Sequence, residues 1–263
     1  MFDRAKIVDE NFLLLIQNGN LPSSKYKLNL SDTNFSTEDL VSVFESQVIS
    51  RHMDLKARAL KNEGKCFYTI GSSGHEGNAV FGKVFQIQDM AFLHYRSAPL
   101  FIERSKKQNG TTPIYDLALS FMASSDDPIS GGRHKVIGSK ELNIPPQTST
   151  IASHLPKAVG TAFSIDHAKG LDISERCLND ESIVICSFGD ASANHATALS
   201  AFNTARLISN QGGHVPIVFI CEDNGLGISV PTQANWIEKN FKNQNNLKYI
   251  KTDGLNLIDL FNK

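Results

Sequence analysis

The runs IVICSFGDAS (residues 183–192) and VPIVFICEDNGLGISVPT (residues 215–232) decide the fold. Each is an apolar stretch that ends in small, acidic or amide residues: Gly189-Asp190-Ala191-Ser192 closes the first, and Glu222-Asp223-Asn224-Gly225-Leu226-Gly227 closes the second. Near-continuous apolar character is that of strands covered on both faces. The spacing predicts strand Ile183 to Phe188, helix His195 to Ser209 and strand Val215 to Cys221, an uninterrupted βαβ unit. In an open parallel sheet, loops at the carboxyl ends of strands converge on one crevice. Two oxygen-rich loops there can surround a metal-bound phosphate.

Working outward, helix Pro156 to Lys169 precedes this unit, and its Gly160 and Ala162 offer a small face for close packing. Further upstream, Met90 to Leu93 reads as a short strand and Pro99 to Lys107 as helix. Cys66 to Ile70 reads as a strand feeding the turn Gly71-Ser72-Ser73-Gly74-His75-Glu76-Gly77, with helix Ala79 to Phe85 after it. Ser36-Thr37-Glu38-Asp39 fits a capping box. The long helix it opens carries Leu40, Phe44, Val48, Leu55 and Ala59 near helical spacing and stops at Gly64. Asp126 to Thr150, with Gly131-Gly132 and Pro145-Pro146, excludes a regular element of any length. Downstream, Lys248 to Thr252 reads as a strand and Asn256 as the cap of a helix that has room for about two turns. The expected fold class is therefore α/β, an open, mostly parallel sheet with helices on both faces. Residues 1–35, a short helix around Val8 to Gln17 and a polar connector from Asn18 to Asn34, form an extension. Residues 36–263 form the domain, expected to be truncated at its C-terminus.

The bulk composition narrows the class. The chain has 263 residues, 41% hydrophobic and 20% charged, with a formal net charge of -1. Such a balance supports a sizeable core and supplies no field for nucleic acid or an acidic membrane. No run of about eighteen apolar residues exists to span a bilayer. Phe12 to Ile16 lacks the basic flank and length of a signal peptide, so the expected location is cytoplasmic. Cys66, Cys177, Cys186 and Cys221 show no CxxC spacing and read as buried, reduced thiols.

Asp190 directly follows a buried strand, where a carboxylate needs a cation or several donors. Mg²⁺ takes hard oxygen ligands, which Asp190, the Asn224 amide and the Leu226 carbonyl can supply. Gly189, Gly225 and Gly227 let the main chain approach a diphosphate, and Ala191 and Ser192 lead into a helix start that favours an anion. A helix cap at Asp190 and a plain turn at 223–225 are the alternatives. His75, in a Gly-rich turn, and His134, in the long loop, are candidates for orienting substrate or moving a proton. His94, beside Tyr95, is a further candidate for the pocket. No nucleophile elbow, HExxH, paired CxxC or P-loop is present, so hydrolase, zinc and NTPase readings have little support.

The pattern Gly-Asp-Ala-Ser-Ala-Asn-His, followed by Cys-Glu-Asp-Asn-Gly-Leu-Gly-Ile-Ser-Val-Pro-Thr, resembles the thiamine-diphosphate motif of the alpha subunit of 2-oxo acid dehydrogenase E1 components. The resemblance runs from about Thr37 onward and includes Phe67-Tyr68-Thr69, Gly74-His75-Glu76-Gly77, His94-Tyr95-Arg96, Gly132-Arg133 and Ser149 to Gly160. It implies the thiamine-diphosphate-binding fold, with Asp190, Asn224 and the Leu226 carbonyl on Mg²⁺. It also implies Tyr95, Arg96, Ser149, Ile151, Gly189, Ala191, Ser192 and Ile228 at the cofactor. Arg96 suits diphosphate oxygens, Ile151 would wedge the bent cofactor, and the Ile228 backbone would meet its aminopyrimidine.

The resemblance further implies oxidative decarboxylation of a pyruvate-type or branched-chain 2-oxo acid, with acyl transfer to a lipoyl-bearing acyltransferase. The cofactor-ionising glutamate belongs to a beta subunit or fused beta portion, without which the chain should be inactive. Three departures stand out: Ala191 where the family has Gly, Asp223 where it has Asn, and Glu222 where some members are basic. Glu222 is therefore left out of the expected site. A non-oxidative thiamine-diphosphate lyase or transferase, and a non-catalytic scaffold of the same fold, are the alternatives.

Overall fold

A computed structural model describes residues 4–20, 29–67, 70–171, 173, 175–228 and 230–263. In chain order the elements are α1 (Arg4–Gln17), α2 (Thr37–Asn62), α3 (Ala79–Val84), β1 (Met90–Phe92), α4 (Ala98–Ser105) and α5 (Pro113–Met122). Then come β2 (Ile137–Ser139), β3 (Ile144–Gln147), α6 (Leu155–Gly170), β4 (Val184–Gly189), α7 (Ala196–Asn210) and β5 (Ile217–Glu222). The last are β6 (Leu226–Gly227), β7 (Val230–Pro231), α8 (Trp236–Phe241) and α9 (Leu257–Asn262).

The main sheet has the order β1-β4-β5 and is parallel throughout. All six residues of β4 are buried because the sheet is covered twice. Strand side chains alternate between faces. Val184, Cys186 and Phe188 join Leu155, Ala158, Ala162, Ala198 and Phe202 in a core under α6 and α7. Ile185 joins Leu100, Ile102, Leu117 and Phe121 in a second core with α4 and α5. A smaller cluster ties α2 and α3 to α9, with Phe35 stacked on Phe261 at 4.2 Å. This is the expected α/β arrangement, with a parallel sheet flanked by helices.

The caps hold as read. Ser36 Oγ accepts from the Asp39 amide while Asp39 accepts from the Ser36 amide, and Asn256 Oδ1 accepts from the Ile258 and Asp259 amides. The face of α2 is a correction. Phe44, Val48 and Ala59 are exposed, and the buried stripe is Val43, Ser46, Ser50, Asp54 and Ala57. Polar groups can line that stripe because they are satisfied from other elements. Ser46 donates to Glu103 at 2.6 Å, and Asp54 accepts from the Ser72 amide at 2.7 Å.

Other expectations change too. Gly160 is exposed, and α6 approaches its neighbours through Ala158 and Ala162. Helix α5 arises where no element was assigned, opened by Pro113 at its first position. The stretch 126–150 contains the short antiparallel pair β2 and β3, and Pro145-Pro146 lie within it. Cys66, Phe67 and Ile70 are not in a strand, while Tyr68 and Thr69 lie outside the described residues. Residues 248–252 join no ladder. Lys251 instead pairs with Glu238 at 2.8 Å, and the Thr252 hydroxyl donates to Asp259. Cys66 and Cys186 are buried as expected, whereas Cys177 is exposed and Cys221 only partly buried. Part of the connector 18–34 also lies outside the described residues. Among the described residues, no helix is long and apolar enough to cross a membrane.

Candidate functional site

Register builds the site. Gly189 at the end of β4 lies opposite Glu222 at the end of β5, so the residues that follow, Asp190 and Asp223, leave the sheet side by side. Asp190 is 3% exposed and starts a short 3-10 turn, Asp190–Asn194, that leads into α7. Its Oδ2 accepts from the Thr232 hydroxyl, which returns to the crevice through the β6–β7 hairpin. Burial, then the charge of Asp190 and a hydrogen bond to it, hold the Asp223 carboxyl above the usual carboxylate range. Two adjoining acids are the situation that a cation relieves.

Asn224 is held at both ends of its amide. Oδ1 accepts from the Leu226 N–H at 3.0 Å, and Nδ2 lies 3.3 Å from His75 Nε2. Gly74, with φ of 85°, makes the space for this, since a Cβ there would lie 2.8 Å from Asn224 Nδ2. The other ring nitrogen of His75, Nδ1, lies 2.6 Å from Glu222 Oε2. Asn78 Nδ2 also donates to that oxygen at 3.1 Å, while Asn78 Oδ1 accepts from the Leu100 amide. Glu222 Oε1 is buried without a partner.

His94 stacks on His75 at 4.9 Å and lies against Tyr95 at 4.0 Å with the rings tilted by 35°. Burial, then the neighbouring His75, His154 and Arg96, keep its pKa well below the usual imidazole value, so it is neutral. Arg96 lies 5.3 Å over the Tyr95 ring, and its Nη1 donates to the Gly71 carbonyl at 2.6 Å. Ser149 is exposed in the loop before α6, as is Ile151 at 38%. Ile228 is 69% exposed with φ of 61°. A β-branched residue in the left-handed region is an outlier costing about 1–3 kcal/mol, and such strain clusters at ligand sites. Neither isoleucine is ordinary core.

The structure thus gathers His75, Tyr95, Arg96, Asp190 and Asn224 in and around the strand ends. Ser192 is buried there and Gly189 closes β4. Ala191 is exposed, and a Cβ on Gly227 would lie 2.8 Å from its methyl. His134 is placed elsewhere, with Nε2 4.0 Å from the Cys66 thiol, which donates to the Phe121 carbonyl. Sequence reasoning named Asp223 only as a departure, did not assign Thr232 or Asn78 to the site, and set Glu222 aside. Only the strand register, which neither loop reveals alone, could have found Asp223.

Among the described residues, no three His, Cys, Asp or Glu side chains converge on a metal position. The donors at hand are oxygen only: one carboxylate beside another, one amide oxygen and the carbonyls of an exposed hairpin. That chemistry fits Mg²⁺ better than a softer ion.

The model of the family described as dehydrogenase E1 component matches residues 44–255, most of the chain. The chain belongs to this family. It is 26% identical over 238 residues to the 2-oxoisovalerate dehydrogenase subunit alpha, mitochondrial, of Caenorhabditis elegans, covering 88% of this chain and 50% of that one. The Mus musculus protein of that name is 27% identical over 236 residues, covering 88% and 49%. The Homo sapiens protein is 28% identical over 211 residues, covering 78% and 42%. The chain therefore spans about half the length of the curated relatives it matches or less.

Proposed function

We propose that this chain is the alpha portion of an E1 component that binds thiamine diphosphate through Mg²⁺ and acts on a branched-chain 2-oxo acid. The observation that carries the reading is the register Gly189↔Glu222, which sets Asp190 beside the 223–228 loop at the carboxyl end of a parallel sheet. Within it, Asp190, Asn224 and the Leu226 carbonyl would hold the ion. Arg96 keeps guanidinium donors beyond the one spent on Gly71 for diphosphate oxygens. Ser192, next to the start of α7, adds donors for the same anion. Tyr95, Ser149, Ile151 and the Ile228 backbone would line the organic part of the cofactor, with His75 placed against Asn224.

Thiamine diphosphate supplies the electron sink for loss of carbon dioxide. A beta subunit or fused beta portion completes the site. The acyl group then passes with two electrons to the lipoyl disulfide of an acyltransferase, opening its S–S bond. The branched-chain preference is supported by the names of the relatives. The extension 1–35, the domain 36–263 and a cytoplasmic location belong to the same proposal, the last supported by the thiols of Cys177, Cys186 and Cys221. The relatives carry "mitochondrial" in their names.

The test uses the full-length protein assembled with its beta partner. Calorimetric titration with thiamine diphosphate should show binding that requires Mg²⁺, and 2-oxoisovalerate with a lipoyl acceptor should yield carbon dioxide and reduced lipoamide. One observation favours a non-catalytic subunit instead, the Glu222 carboxylate at the crevice. Absence of Mg²⁺-dependent binding would select that reading.

A further inference from the structure

A chain of contacts links three residues across two loops: Glu222 at the end of β5, His75 in the turn after α2, and Asn224 two residues beyond β5. A carboxylate only accepts hydrogen bonds, so His75 Nδ1, 2.6 Å from Glu222 Oε2, carries the hydrogen. In a neutral ring, Nε2 is then an acceptor. Only the nitrogen end of the Asn224 amide can donate to it, and that is the end found there, at 3.3 Å. The oxygen end must face the other way, where it accepts from the Leu226 N–H and keeps a second lone pair.

The surroundings hold this arrangement in place. His94 stacks on the His75 ring at 4.9 Å and 15° between planes, which opposes rotation of the imidazole. Asn78 anchors Glu222 Oε2, and its own orientation is fixed by the Leu100 amide. His75 and Glu222 side chains are 4% and 8% exposed, so water does not compete for their contact.

We propose that Glu222 and His75 are positioning residues for Asn224, the carboxylate setting the imidazole tautomer and the imidazole setting the amide so that its oxygen is presented to the metal ion. The inference rests on the cofactor reading above, because it gives Asn224 a metal to meet. Glu222, which a diphosphate would repel if it were free, is in this arrangement committed to His75. Were the tautomer reversed, Nε2–H would call for the oxygen end of Asn224 and turn the nitrogen end toward the ion.

The experiment uses the full-length protein with its beta partner and histidine labelled with ¹⁵N. Long-range proton–nitrogen correlation should show His75 as the Nδ1–H tautomer in the wild type and in Glu222→Gln, whose amide oxygen still accepts from Nδ1. In Glu222→Ala that signature should be lost, and Mg²⁺-dependent thiamine diphosphate affinity should fall about 10- to 100-fold, the usual cost of losing a partner that orients a metal ligand. Glu222→Gln should recover most of the loss. An Nε2–H tautomer in the wild type, or full affinity in Glu222→Ala, overturns the inference and leaves the cofactor reading standing. A wild type that binds no thiamine diphosphate overturns both. The wild-type tautomer is read without substitution, so a variant that fails to fold does not shield the proposal.

Discussion

Glu103 on α4 and Glu222 at the end of β5 are both carboxylates withdrawn from water, with side chains 1% and 8% exposed, yet they are satisfied differently. Glu103 has a partner on each oxygen: Ser42 donates to Oε1 at 2.8 Å, Ser46 to Oε2 at 2.6 Å, and the Lys106 ammonium lies 3.2 Å from Oε2. Beside it, Arg104 donates to the carbonyls of Leu142, Ile87 and Asp89. This region clamps α2 to α4 and joins α4 to the loops around β1. Glu222 has both partners on one oxygen and none on the other. Beside it, Asp190 and Asp223 crowd one another. A buried polar group left incompletely paired costs stability, so the Glu222 carboxylate carries a stress that the Glu103 carboxylate does not, although Arg104 Nη1 beside Glu103 is also buried without a partner.

The sharpest way to break this contrast is Asp190→Ala. Mg²⁺-dependent thiamine diphosphate retention should disappear, while thermal unfolding changes little because removing one of two adjoining acids relieves repulsion. Unchanged retention removes Asp190 from the site. The converse substitution, Glu103→Ala, should cost about 1–3 kcal/mol, since it leaves the buried Ser46 hydroxyl without its acceptor, while Lys106 is partly exposed and keeps Glu45. Denaturant unfolding should show that loss, and cofactor affinity per folded molecule should stay at the wild-type value. Equal damage to affinity would dissolve the distinction between the two regions.

A further effect concerns pH. His154 Nε2 lies 2.7 Å from the Ser187 carbonyl on β4, its Nδ1 is buried without a partner, and burial lowers its pKa to about 4. Because the folded value lies below the unfolded value of about 6.5, the unfolded chain takes up a proton first as pH falls. Stability is therefore fully present above about 6.5 and declines toward 4, by roughly 3 kcal/mol at one pKa unit per 1.4 kcal/mol. His94, also held neutral, adds to the slope in the same direction. His154→Gln, which keeps a donor for Ser187, should flatten part of the decline in unfolding free energy between pH 7 and 5. An unaltered slope assigns the decline to other groups.

What could be read in advance follows from the range of the interactions. β4 and β5 are legible because burial on both faces writes an apolar run, and the Ser36 and Asn256 caps because each acts within three residues. The buried stripe of α2 is not legible. Ser42 and Ser50 look like solvent-facing residues until Glu103 and Ser72, 61 and 22 positions away, are brought against them. At the site, Asp190 and Asn224 are visible as types suited to a hard cation. Glu222 reads as an obstacle because its partner, His75, is 147 positions distant. The Asp223 contact depends on strand register, which no local pattern encodes.

β4 is buried along its whole length and hydrogen-bonded on both sides, whereas β5 is half-buried and paired on one side in the described sheet. Asp190 hangs from the first and Asn224 from the second. Amide exchange with deuterated solvent would accordingly reach the β5 segment sooner, since fluctuations that free an edge strand leave a central one untouched. If the proposed ion binds there, its release would proceed in sequence, the carboxamide arm departing while the carboxylate keeps its place, so that the emptied protein retains a preformed half of its receptor ready for recapture.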